Sequence, residues 1–133
     1  MRKTIMLSVF LISAVGLSVS CVTTSYALLG PDLLFAPVPW EQVEIYLSED
    51  DVEEDFVKMA ILSAEGKEGF TDEQDMYNSF CKKAGQLGAD AIIIQGVKDP
   101  SDVERMADAV RGGFGFGTRQ GRAIAIKYKK NIK

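Results

Sequence analysis

Thr71-Asp-Glu-Gln-Asp-Met-Tyr-Asn-Ser-Phe80-Cys-Lys-Lys-Ala-Gly-Gln-Leu-Gly88-Ala-Asp-Ala-Ile-Ile-Ile94 carries one helix and the strand behind it. Met76, Phe80, Ala84 and Leu87 recur at helical spacing and form an apolar stripe. Thr71 and Gln74 stand at capping-box spacing, where a hydroxyl and an amide satisfy backbone N–H groups reciprocally. Lys82 and Lys83 sit in the last turns, where they complement the helix dipole, and Gly88 is a left-handed stop. The β-branched run Ala91–Ile94 reads as a central strand covered on both faces.

Working outward, Val43, Ile45 and Leu47 alternate with polar residues, the period of a half-buried strand. A second apolar stretch, 56–64, follows the acidic run Glu49–Asp55, and the two strands are expected to form a hairpin with a long charged connection. Downstream, Ser101 and Glu104 make another capping box, and Val103, Met106, Ala107 and Val110 suit a short amphipathic helix. Residues 112–121 hold five glycines and read as a flexible loop. Residues 122–129, alternating Ala and Ile, are expected to form the last strand. The order β-β-α-β-(α)-β predicts an α+β domain, a small, mainly antiparallel sheet with one main helix packed on it.

The 133 residues, 47% apolar and 26% charged, make one globular domain. There is no His, which removes Ser-His-Asp and Cys-His nucleophile systems and His-ligated zinc. Two Cys are too few for a Cys-only zinc site.

The N-terminus carries an address. Arg2 and Lys3 precede an apolar run, and residues 4–31 have no charged side chain. Leu17-Ser-Val-Ser-Cys21 places small residues directly before a cysteine and looks like a bacterial lipobox, where cleavage precedes a Cys that is then acylated. The organisation expected is therefore a leader over 1–20, a lipidated Cys21 with a tether over 21–39, rich in proline and lacking periodicity, and a single domain over 40–133. An uncleaved span competes with this, because residues 4–30 are long enough to cross a bilayer. On either reading the domain lies outside the cytoplasm. Loss of Arg2 and Lys3 with the leader leaves 13 basic against 19 acidic side chains, an acidic domain that nucleic acid repels.

Candidate chemistry is sparse. The acidic run lacks the order and glycine of a calcium loop and reads as a solvated turn, so no metal or cofactor is assigned. The glycine-rich loop joins a helix to a strand, the wrong way round for a phosphate cradle. Its Phe114 and Phe116 are candidate contacts for a partner or a membrane surface, and Trp40 and Tyr46 are further candidate contacts. Cys81, beside the helix stripe, reads as a buried structural thiol, and no residue is assigned a catalytic role.

The run from Phe80 to Ile94, with its Lys-Ala-x-x-Leu-Gly-Ala-Asp-Ala core, resembles small bacterial envelope proteins of the RcsF-like and YbjQ-like kind. Val43–Leu47, Ala60–Gly66 and Ala123–Tyr128 extend the similarity over roughly residues 38–129. The resemblance implies a β-β-α-β-β domain on a lipid tether and a non-enzymatic role: a binding or stress-signalling module with an envelope protein partner. A structural subunit of a homo-oligomeric assembly is the alternative, since YbjQ-like domains form rings. The Rcs-type sensors are braced by disulfides; here Cys81 has no intramolecular partner once Cys21 is lipidated. Val22 rather than Asp after the Cys resembles sorting to the outer membrane, facing the periplasm.

Overall fold

In a computed structural model, residues 22–133 are described. Five strands form one open sheet: β1 (Val22–Leu28), β2 (Glu44–Tyr46), β3 (Phe56–Lys67), β4 (Ala91–Lys98) and β5 (Thr118–Tyr128). Helix α1 (Glu73–Leu87) packs on it, and a short helix α2 (Asp102–Val110) joins β4 to β5. The spatial order is β1-β3-β5-β4-β2, antiparallel except for β2 beside β4. The α+β class and the single main helix read from the sequence are what the chain forms.

The helix stripe is the core. Met76, Phe80, Ala84 and Leu87 are buried against Leu62, Ala64, Ile92, Ala123 and Ala125 of the sheet. Burial of Phe80 alone, fully enclosed, contributes about 2–3 kcal/mol. Ala91 and Ile93 point to the opposite face, where they meet Ile126, Tyr128, Val52 and Phe56, so the β4 run is covered on both sides as expected. The N-cap falls one residue later than the sequence spacing implies. Asp72 and Asp75 form the capping box, and Thr71 is buried instead. Gly88 ends the helix at φ 80°, the left-handed conformation that glycine adopts without a Cβ penalty. Lys82 and Lys83 do not cap the helix end; their ammonium groups lie 5.5 Å from the rings of Trp40 and Tyr26.

Two expectations are corrected. The strands at 43–47 and 56–64 are not a hairpin: β2 lies parallel to β4 at one edge, while β3 lies beyond β5. The acidic connection crosses the face of the sheet, with Val52 as its apolar plug and Glu49, Glu54 and Asp55 paired to Lys58, Lys130 and Lys129. Nor are residues 22–39 a tether. Residues Val22–Leu28 pair with β3 throughout, with Val22 opposite Gly66 and Leu28 opposite Ala60. The following segment then runs against the end of α1, where the Phe35 and Val38 N–H groups donate to the Leu87 and Gly85 carbonyls at 3.1 and 2.9 Å. Residues 22–39 therefore belong to the fold, while the expected leader and Cys21 lie outside the described residues.

Candidate functional site

The register places several features at one end of the sheet. Val22 opens β1 opposite Gly66, Gly66 lies opposite Arg119 in β5, and Lys98 closes β4 opposite Gln120. Helix α2, the short turn Glu68–Phe70 and the glycine-rich loop all leave or enter the sheet there. Ser101 and Glu104 form the capping box that the sequence announces.

Helix α2 is mounted with its polar side inward. Arg105 donates two hydrogen bonds to the Glu68 carboxylate, at 2.7 and 2.9 Å, and Lys67 reaches Asp108 at 2.7 Å. These pairs occupy the side of the helix that faces the body. The opposite side carries Val103, Met106 and Val110, exposed by 76%, 69% and 88%. Sequence periodicity finds this apolar stripe as one face of an amphipathic helix and leaves its direction open. The ion pairs to Lys67 and Glu68 turn it to the outside, and only those long-range contacts decide the matter.

The loop behind α2 is pinned rather than loose, and β5 already begins at Thr118. The Glu68 N–H donates to the Gly117 carbonyl at 3.1 Å, and the Phe116 ring lies over Gly69, where a side chain would collide with it. Phe116 is half-buried, edge-on to Phe70 with ring centroids 5.9 Å apart. Phe114 sits 6.2 Å from Phe116 and is 86% exposed, and Phe70 is 63% exposed. Val103, Met106 and Val110 of α2, with Phe114 and Phe70 beside Phe116, are thus exposed apolar side chains gathered at this end, an apolar cap of more residues than the two phenylalanines the sequence singles out. Trp40 is elsewhere. It belongs to the turn Trp40–Gln42 against the other end of α1, beside Gly85 and Lys82. Tyr46 is also distant, on β2 with its hydroxyl 3.1 Å from that of Tyr128.

The ionisable groups at that far end are committed to one another. Lys127, almost fully buried, donates to the Gly88 carbonyl at 2.9 Å and to Asp90 at 3.0 Å. Burial opposes ionisation of Asp90, but hydrogen bonds from Asn131, Lys127 and the Tyr128 N–H outweigh it and hold its carboxyl below the usual range. Burial, with hydrogen bonds to Glu44 and Tyr46, pushes the Tyr128 hydroxyl well above the ordinary tyrosine value. Burial likewise raises the Cys81 thiol, which is protonated and sheltered at neutral pH. Among the described residues no three acidic or cysteine side chains converge as metal ligands. An open groove of about 570 Å³ lies on the sheet face away from α1, lined by Glu65, Gln95, Lys98, Gln120 and Arg122. No helix among the described residues is long and apolar enough to cross a membrane.

The chain is thus an α+β domain of one helix on an open five-stranded sheet, with an apolar cap at one end. A crystal structure of a Francisella virulence factor, FvfA, has a similar fold: TM-score 0.52 at 17% identity, over 78% of this chain and 96% of that one. At that identity the likeness speaks to the fold alone. No protein-family model matches the chain, and no curated protein matches it.

Proposed function

We propose that the protein is a bacterial envelope lipoprotein, acylated on Cys21, that works as a non-enzymatic binding or stress-signalling module. The outer membrane, with the domain facing the periplasm, is its proposed location. The observation that carries this reading is the lipobox-like Leu17-Ser-Val-Ser-Cys21 behind Arg2, Lys3 and an uncharged apolar run. Cleavage before Cys21 would leave the pairing of Val22–Leu28 with β3 intact, and acyl chains on Cys21 would stand one residue before that strand. The RcsF-like and YbjQ-like resemblance supports the same reading. A binding role suits side chains spent on internal partners: Asp90 with Lys127, Glu44 with Tyr128, Cys81 enclosed.

Intact mass of the native protein from the membrane fraction tests the proposal, alongside a Cys21→Ala variant. A mass of residues 21–133 plus acyl chains, absent from the variant, is the expected result. An unmodified full-length mass overturns it.

A further inference from the structure

We propose that the apolar cap formed by Val103, Met106, Val110, Phe114 and Phe70 is a bilayer-contact surface, and that the domain sits against the membrane on this end. The inference rests on the acylation of Cys21 proposed above.

Three observations converge on it. The first is the orientation of α2. An amphipathic helix normally turns its apolar stripe to the core, whereas here Arg105–Glu68 and Lys67–Asp108 hold the polar side to the body. Phe114 and Phe70, grouped around Phe116, are exposed at the same end of the sheet. Several large apolar side chains exposed at one end of a domain mark a contact site.

The second is the position of the anchor. Val22 pairs with Gly66, and the next residue along β3, Lys67, is the one that grips Asp108 of α2. Cys21 is one residue beyond Val22, at most about 3.6 Å of chain. Acyl chains on Cys21 therefore enter the bilayer beside α2, with no tether to carry the domain away.

The third is charge. On α2 and at its end the exposed charged residues beside the stripe are Asp102, Glu104 and Arg111, and Arg105 is already paired. Such a rim has no basic excess to attract anionic lipid, so contact is driven by the apolar side chains entering the interface. A peripheral surface of this type binds without regard to headgroup charge.

The test uses the processed lipoprotein in a Cys81→Ala background, reconstituted into phosphatidylethanolamine–phosphatidylglycerol vesicles. An environment-sensitive fluorophore is placed through Val110→Cys and, as a control at the far end, through Glu53→Cys. The expected result is loss of iodide quenching and a blue shift at position 110 on reconstitution, with position 53 still quenched. The same result is expected in phosphatidylcholine vesicles. Full quenching at both positions in an acylated protein overturns the inference and leaves the lipoprotein reading standing; the cap would then await a protein partner. Protection found only with phosphatidylglycerol also overturns it, because the contact would be electrostatic. A chain that carries no acyl group overturns both.

Discussion

The Lys127 ammonium lies 3.0 Å from the Asp90 carboxylate and 2.9 Å from the Gly88 carbonyl, and so ties the last turn of α1 to the middle strand of the sheet. Its flank rests 5.4 Å from the Phe35 ring, which the chain between β1 and β2 supplies. One charge pair thereby joins helix, sheet and N-terminal segment. Asp90 completes the arrangement by accepting from the Tyr128 N–H at 2.9 Å and from Asn131 at 3.0 Å.

Removing either partner leaves the other charge buried. Asp90→Asn is expected to cost about 3 kcal/mol, the usual penalty for breaking an enclosed pair. Urea unfolding at pH 7 measures it; a loss under 1 kcal/mol would show that Lys127 finds water instead.

The pH dependence follows from the direction of the Asp90 shift. Its carboxyl is held below its unfolded value of about 3.9, so its contribution is complete above that pH and is lost as pH falls through the folded value. Glu68 and Asp108, lowered by Arg105 and Lys67, act with the same sign. Melting temperature should therefore fall as the protein is acidified below about pH 4. Asp90→Asn should flatten part of that slope, and a variant with an unchanged slope would remove Asp90 from the account.

Gly85 tests the packing of the segment before Trp40. A Cβ there would stand 2.7 Å from the carbonyl oxygen of Val38, a residue whose N–H donates to the Gly85 carbonyl. Gly85→Ala should cost about 1–3 kcal/mol by overpacking, despite the better helix propensity of alanine. Stabilisation would mean that residues 29–39 lift off freely.

Cys81 should resist thiol reagents at pH 8 in the native protein and react fully in denaturant, because burial both blocks access and disfavours the thiolate. Cys81→Ser is expected to cost about 1–3 kcal/mol for placing a hydroxyl in an apolar site. Rapid native labelling would contradict the buried position.

The elements most legible in the sequence are those whose period matches their burial. The α1 stripe, the Gly88 stop, the Ala91–Ile94 run and the Ser101–Glu104 cap all stand where the residues imply. β1 was hidden because an edge strand needs little apolar surface. Thr24 faces α1 through its hydroxyl on Ser79 while Thr23 and Ser25 are exposed, so hydroxyl residues blur the alternation. The β2–β3 connection misleads for another reason: pairing depends on what Val52 covers, not on proximity in sequence. For α2, the spacing of Val103, Met106 and Val110 defines a face, but which way that face turns is set by Glu68 and Lys67, more than 30 residues upstream. Of the candidate contacts, Phe114 and Phe116 mark the apolar cap, and Trp40 lies at the opposite end.

The strand order also fixes when the protein can be finished. β5 follows the other four described strands in the chain, yet it is the strand that hydrogen-bonds β3 on one side and β4 on the other. Until residues 118–128 arrive, the chain holds two separate ribbons, β1 with β3 and β2 with β4, and an unpaired edge on each. A nascent or truncated chain therefore cannot close its sheet, and its exposed edges are open to other chains. Chains ending at residue 117 should melt without cooperativity and aggregate, which makes β5 the checkpoint between a closed sheet and two loose ribbons.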